Sequence, residues 1–350
     1  MPADTPLFKT AIITSAKEET TGVKTFTLSY ADGSAIPFTS GQFITFAFTH
    51  HGREERRSFS ISASPVLHEP LSFTVKRIDN GAYSRMLTDR AKVGDHLLTT
   101  GAAGLFTLPA DNGAYGQVFF FAAGIGITPI ISLIKTLLHT QPDKKAVLIY
   151  SNRNREDTVF YEELQQLAMQ FPNSFTIVYL YSTSFDLSRA RLSKALLATL
   201  VSEHSAVPKE KLLFYICGPF TYMRMATIAL EEIGVHGDQL RKENFNTNDR
   251  QVQAIEPPDK TTHPVTIRQH GREYTFPVVY PQTILQAAKK HGLSLPYSCE
   301  VGRCGSCAAR CISGQVWLSY NEVLMDMDLK HGSILTCTAH PVNGAVTIEV

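Results

Sequence analysis

The 350-residue chain lacks a charge excess of either sign. It has 33 Lys/Arg against 32 Asp/Glu, a formal net charge of +1. Proteins that hold nucleic acid by its phosphates carry a marked basic surplus, so that class is excluded. A long apolar run is missing too. The nearest, Val118–Leu138, is broken by Gly124, Gly126, Pro129 and Lys135. It reads as strand, turn and helix, so no membrane span is expected. The opening MPADTPLFKT has neither a basic nor an apolar segment, so no secretory leader and a cytoplasmic location are expected. Cysteine is absent before Cys217, and in a 350-residue chain without a secretory signal a disulfide framework is not expected. With 43% hydrophobic and 19% charged residues, extended disorder is excluded, and the length suits two to three domains.

The cysteines that are present crowd together. Cys299, Cys304, Cys307, Cys311 and Cys337 fall within 39 residues. In YSCEVGRCGSC, four residues separate Cys299 from Cys304 and two separate Cys304 from Cys307; 29 more lie between Cys307 and Cys337 of TCTAHP. C-x4-C-x2-C with one distant Cys is the plant-type [2Fe–2S] spacing. Each iron needs two thiolates, and Gly302 and Gly305 let the backbone close around bridging sulfides. Ser298 and Ser306 add donors near the sulfurs. Structural zinc sites use two short Cys pairs, and only one is present. The predicted ligands are Cys299, Cys304, Cys307 and Cys337. Cys311, outside the spacing, reads as a buried strand residue.

The chain divides into three blocks. Residues 1–110 read as all-β, with strands at Thr10–Ser15, Val23–Ser29, Gln42–Phe48, Arg57–Ser62 and Leu71–Ile78 and a short helix at Ala82–Thr88, an antiparallel barrel or sandwich. Residues 111–246 alternate strand and helix from VFFFAAG to the helix ended by Gly234, which predicts an α/β parallel sheet. Polar, Pro-rich residues 247–262 form a linker. Residues 263–350 read as α+β, with a hairpin turning at His270-Gly271, a helix in TILQAAKKHG and strands at Gln315–Leu318 and AVTIEV.

The middle block sets Gly124, Gly126, Thr128 and Pro129 where a strand becomes a helix. Glycines there let a pyrophosphate approach the backbone, and the helix N-terminus favours its charge. Alone, such a turn also serves packing. It gains weight from Cys217, Gly218 and Pro219, which end a later strand at the same sheet edge; Cys217 alone reads better as a small core residue. After the strand AVLIY, Ser151, Arg153 and Arg155 stand where an adenosine ribose would lie. Arg there suits a 2′-phosphate and hence NADPH, with NADH the alternative and a solvated loop the plainer reading. In the first block, RRSFSIS offers a guanidinium fork at Arg57 for phosphate, a stacking face at Phe59 and a hydroxyl at Ser60. VKRIDNGAYSRML adds a phosphate cradle at Gly81 and Ser84. The plainer reading is a basic strand edge and a capped helix.

All three sets occur in order, and nearly the whole chain resembles the ferredoxin–NADP reductase family with a C-terminal ferredoxin domain. It resembles oxygenase reductase components, the phenylacetyl-CoA epoxidase type among them. The family's Arg-x-Tyr-Ser flavin motif is matched by Arg57, Ser58, Phe59 and Ser60, where Phe59 keeps the stacking face and lacks the hydroxyl. Its Gly-x-x-Ser motif is matched by Gly81, Ala82, Tyr83 and Ser84, preceded by Val75, Lys76 and Arg77. Gly41-Gln42, Gly101–Phe106, the Gly124–Pro129 turn and Cys217–Pro219 match further motifs, with Ala102 in place of Pro. The resemblance implies a β-barrel FAD domain, an α/β NAD(P) domain and a β-grasp [2Fe–2S] domain. It also implies that Ser60 and Cys217 flank the nicotinamide and that Glu243 and Phe245 close the flavin pocket.

Electron counting links the blocks. A nicotinamide gives two electrons as hydride, and a [2Fe–2S] cluster takes one. A flavin accepts hydride and releases electrons singly, so it stands between them. The expected activity is NAD(P)H oxidation through FAD and the cluster to a one-electron acceptor protein, an oxygenase component. A non-catalytic redox-responsive protein and a reductase for another acceptor, such as a hybrid-cluster protein, are the alternatives. Residues 263–350 carry seven Lys/Arg and six Asp/Glu, so charge does not identify the acceptor.

Overall fold

The computed structural model describes residues 7–50, 53–110, 113–245 and 255–350. In the first block, β1 (Lys9–Thr20), β2 (Val23–Tyr30), β3 (Phe43–His50), β4 (Arg53–Ser60), β5 (Ser72–Lys76) and β6 (His96–Ala103) form one sheet, with α1 (Ala82–Arg90) between β5 and β6. The order β4-β3-β6-β1-β2-β5 leaves β4 and β5 as edges, and an antiparallel bridge from Ile61 to Phe73 brings those edges together. Ala11, Ile13, Phe26, Leu28 and Phe46 turn inward with the two-residue period of half-buried strands. β6 lies outside the predicted strands. HLLTTGAA is poor in β-branched and aromatic residues, yet Leu97 and Thr99 both point into the core.

The second block adds β7 (Gln117–Ala123), α2 (Ile127–Thr140), β8 (Lys145–Asn152), α3 (Tyr161–Gln170), β9 (Phe175–Tyr181), the one-turn α4 (Leu187–Ala190), α5 (Lys194–His204), β10 (Leu212–Cys217), α6 (Phe220–Glu232) and β11 (Leu240–Glu243). Its sheet is parallel, in the order β11-β10-β7-β8-β9. Every residue of β7 is buried, because helices cover both faces. The chain leaves β7 toward β8 on one side and β10 on the other, so the carboxyl end of β7 is the switch point where such sheets bind ligands.

The third block holds β12 (His263–Gln269), β13 (Arg272–Val278), α7 (Ile284–Lys290), β14 (Ala308–Leu318), α8 (Asp326–Lys330), β15 (Ser333–Leu335) and β16 (Ala339–Glu349), in sheet order β13-β12-β16-β14-β15. The β12–β13 turn has His270 at φ 51° and Gly271 at φ 74°, the two positive angles a tight hairpin turn requires. Thr283 and Gln286 cap α7 reciprocally. β14 begins earlier than predicted, and register shifts at Cys311–Ser313 and Ser313–Gln315 explain why its first half does not read as a strand. Cys311 is on that strand and is half-buried rather than buried.

The fold forms two compact units. One contains Ala47–Arg57 together with the described residues of Met1–Lys9 and Asn246–Val350; the other contains Thr10–Phe46 and Ser58–Phe245. Of the stretch read as a linker, residues 247–254 lie outside the described residues. The remainder is tied to the third block: Ile255 pairs with Ser319 and Trp317, and Asp259 accepts from the Asn343 amide at 2.8 Å.

Candidate cofactor sites

The four predicted cluster ligands come together as two pairs. Cys299 and Cys304 are in hydrogen-bond contact, and so are Cys307 and Cys337. Contact with Cys304, aided by the amides of Val301 at 3.5 Å and Arg303 at 3.4 Å, holds the Cys299 thiol down to about 6. Contact with Cys337 likewise lowers the Cys307 thiol, while Cys304 and Cys337 are raised in turn. One lowered thiol in each pair, with amides turned inward beside Cys299, suits an iron–sulfur centre. Among the described residues no three His, Cys, Asp or Glu side chains converge as they would on one metal ion. Two pairs match two irons, each taking two thiolates. Gly302 sits at φ 75°, and a Cβ on it would stand 2.9 Å from the Tyr320 carbonyl, so only glycine fits. Arg303, which sequence reasoning did not single out, is buried beside the loop and ion-paired with Glu322 at 2.9 Å.

Ser60, Cys217 and Glu243 form a second cluster. Ser60 is buried and its hydroxyl donates to Glu243 Oε1 at 3.2 Å. Glu243 lies beside Cys217 in the β10–β11 register. Its side chain is half-buried by accessible surface, but protein packs around the carboxyl on nearly all sides and pushes it up to about 8, against a smaller lowering from Ser60. Burial first, and Glu243 second, push the Cys217 thiol far up, so it stays protonated. Phe245, two residues on, is exposed.

At the switch point, Gly124 has φ 53° and its carbonyl accepts from the Tyr150 hydroxyl at 3.0 Å. The Thr128 hydroxyl donates to the Ile125 carbonyl. A Cβ on Gly126 would stand 2.2 Å from the Cys217 carbonyl oxygen, and one on Gly218 2.9 Å from Ala123 Cβ. The two turns are thus pressed together at the sheet edge, with Pro219 capping α6. At the end of β8, Ser151 Oγ and Asn152 Nδ2 are buried with no hydrogen-bond partner, orphaned polar atoms that suit a ribose or phosphate. Arg153 is exposed next to them, whereas Arg155 stacks on Tyr161 at 4.4 Å and pairs with Glu162 at 3.5 Å. Sequence reasoning missed Tyr161, Tyr179 and Tyr181, which stack beside this edge.

On β4, the Arg57 guanidinium meets Glu55 at 2.8 Å, Ser58 bonds Thr45, and the Phe59 ring packs 5.7 Å from Phe73 with its residue still partly exposed. Val75 is buried at the end of β5, Lys76 is exposed, and Arg77 pairs with Asp79 and Asp89. Gly81 caps α1, whose first amides, at Ala82, Tyr83 and Ser84, have no acceptor within the helix. The Ser84 hydroxyl is committed locally, accepting from Ile78 N–H and donating to the Gly81 carbonyl. An anion at this helix start would therefore be met by amides.

Comparison with known proteins identifies three domains along the chain. Residues 10–108 match the family described as the oxidoreductase FAD-binding domain, 120–227 the oxidoreductase NAD-binding domain and 267–342 the 2Fe-2S iron-sulfur cluster binding domain. The chain is 30% identical, over 95% of its length and 94% of the relative's, to the ferredoxin reductase component of 3-ketosteroid-9-alpha-monooxygenase from Mycolicibacterium smegmatis. It is 29% identical, over 98% and 97%, to a component of 1,2-phenylacetyl-CoA epoxidase from Escherichia coli. It shares the fold of phthalate dioxygenase reductase over 98% of both chains, with a TM-score of 0.59 at 22% identity. It also matches an intact type IV self-sufficient cytochrome P450 monooxygenase over 98% of its own length and 41% of that chain, at 22% identity and a TM-score of 0.71. No helix among the described residues is long and apolar enough to cross a membrane.

Proposed function

Since this chain belongs to the ferredoxin reductase components that join FAD, NAD(P)H and [2Fe–2S] domains, we propose that it carries electrons from NADPH to an oxygenase component. It is an NAD(P)H-dependent oxidoreductase, and its FAD, when bound, converts a two-electron hydride into single electrons for the cluster. The match of residues 267–342 to the 2Fe-2S cluster binding domain, with Cys299, Cys304, Cys307 and Cys337 at the plant-type spacing, carries the reading, because a cluster held there would supply a one-electron exit. Relatives named as monooxygenase and epoxidase components support an oxygenase as acceptor.

The residues have distinct tasks. Arg57 and the first amides of α1 hold flavin phosphate, with Val75–Arg77 and Gly81–Ser84 shaping that side and Ser58 and Phe59 the strand beneath the ring. Gly124, Gly126, Thr128 and Pro129 seat the nicotinamide pyrophosphate, and Ser151 and Arg153 the adenosine end. Ser60, Cys217 and Glu243 surround the place of hydride transfer, with Gly218, Pro219 and Phe245 limiting its access to water. Residues 1–110, 111–246 and 263–350 are the three functional domains, joined by 247–262. A cytoplasmic location fits a chain whose cysteines are read as cluster ligands and thiols and not as disulfides.

Cys304→Ser in the full chain tests the relay. It removes one iron ligand, so NADPH-driven cytochrome c reduction should fall about tenfold or more. Ferricyanide takes electrons directly from reduced flavin, and its reduction should stay near the parent rate. Unchanged cytochrome c reduction would show that electrons leave without the cluster.

A further inference from the structure

Arg56, the residue before Arg57, is only 6% exposed. Such burial is costly for a guanidinium unless partners replace water. Its partners come from three places. Its Nε meets Glu54 at 2.8 Å, and its guanidinium carbon lies 3.7 Å from the Tyr297 ring centroid and 4.9 Å from that of Phe8. Its Nη1 donates to the carbonyls of Leu295 at 3.3 Å and Tyr297 at 3.4 Å. Lys289 brings a second cation to the Tyr297 ring, Nζ 3.4 Å from the centroid, and pairs with Glu300 at 2.7 Å. A carboxylate, a guanidinium, an aromatic ring, an ammonium and a second carboxylate thus follow one another from β4 to the residue after Cys299. All five belong to the same compact unit, although about 240 residues separate its ends.

We propose that this ladder is the latch that fixes the cluster loop to the strand carrying Arg57, and that Arg56 is a positioning residue for electron transfer from flavin to cluster. The inference rests on the relay proposed above. Desolvated cation–π contacts are strong and lose their strength when water enters, so the ladder is stiff while closed. The backbone carbonyls of Leu295 and Tyr297 fix the approach to Ser298 and Cys299, which a contact between exposed side chains would not do. The latch orders the cluster loop against the strand that leads into Arg57, and neither Arg56 nor Tyr297 is among the residues assigned to a cofactor. For each NADPH oxidised to NADP+, one proton is released and two ferric cytochromes are reduced, one electron each.

The test compares parent, Arg56→Ala, Arg56→Lys and Tyr297→Leu as full-length proteins with flavin and iron counted per chain. Arg56→Ala and Tyr297→Leu should lower NADPH–cytochrome c reduction about tenfold, through kcat and not KM for NADPH, with ferricyanide reduction within about twofold. Arg56→Lys should recover part of the loss. Independently of activity, amide exchange in peptides covering 53–57 and 294–301 should speed up in both disruptive variants. Unchanged cytochrome c reduction and exchange overturn the proposal. So does loss of flavin or iron in both variants, since the residues would then hold cofactors. Should the parent itself reduce cytochrome c independently of Cys304, the relay fails and not the latch, which the exchange data still decide.

Discussion

A carboxyl that stays neutral to about pH 8 is uncharged over most of the range in which a reductase works. Glu243 is such a group, because burial outweighs its hydrogen bond from Ser60. The unfolded chain ionises this group near its ordinary 4.5, the folded chain only near 8, so stability falls as pH rises between those values. The facing titratable group, Cys217, keeps its proton throughout. Glu243→Gln should therefore gain thermal stability over the parent at pH 9 and little at pH 4. Its rate of flavin reduction by NADPH should match the parent within about twofold at pH 7, and it should lack the parent's decline above pH 8, where a new anion opposes hydride arrival. A decline that persists in the variant assigns the titration elsewhere. Arg153 gives a second residue-scale prediction. It is exposed next to two orphaned polar atoms, so Arg153→Ala should raise KM for NADPH about tenfold and leave KM for NADH nearly unchanged. Equal effects on both nucleotides remove the case for a 2′-phosphate contact. At this scale the 2Fe-2S domain was legible because cluster geometry fixes the spacing of cysteines in sequence. Arg56 and Tyr297 were not, since nothing local marks residues that meet across so long a stretch of chain.

Elements carry the sites by their ends. The turn after β7 and the turn after β10 touch through Gly126, whose added Cβ would lie 2.2 Å from the Cys217 carbonyl oxygen. Its φ is ordinary, so space and not backbone conformation demands glycine. Gly126→Ala should force the turns apart at a cost of about 1–3 kcal/mol, read as a lower denaturation midpoint. Both nucleotide and nicotinamide positions would shift with them, so ferricyanide reduction by NADPH should fall about tenfold while flavin content stays at parent level. A normal rate would mean that the turns are not jointly required. The strand-turn-helix pattern was legible because Gly, Pro and an all-apolar strand punctuate it plainly. The His270-Gly271 turn was legible for the same reason. β6 and the first half of β14 were not: one is built of residues with weak strand preference, and the other is bent by two register shifts that break the alternation.

At the scale of the whole molecule, domain order is written along the chain while the compact units are not. Each block has its own period, parallel-sheet runs of apolar residues in one and alternation in the others, so three domains could be read in sequence. The grouping of Ala47–Arg57 with the third block depends on contacts such as Arg56 to Tyr297, which no local pattern announces. That grouping sharpens what a truncation should do. A chain ending at Arg250, just outside the described residues, keeps every residue proposed for flavin and nicotinamide binding. It should bind FAD and reduce ferricyanide, and it should lose nearly all cytochrome c reduction with the cluster. It also removes the Tyr297 ring and the two carbonyls that cover and bond the Arg56 guanidinium, which is then returned to water. The truncated chain should therefore melt several degrees lower than the full protein, and Arg56→Leu should lower the stability of the full chain while changing that of the truncated one little. A loss confined to the full chain is the signature of a guanidinium whose partners lie beyond residue 250. Equal losses in both would mean that Arg56 is ordinary packing.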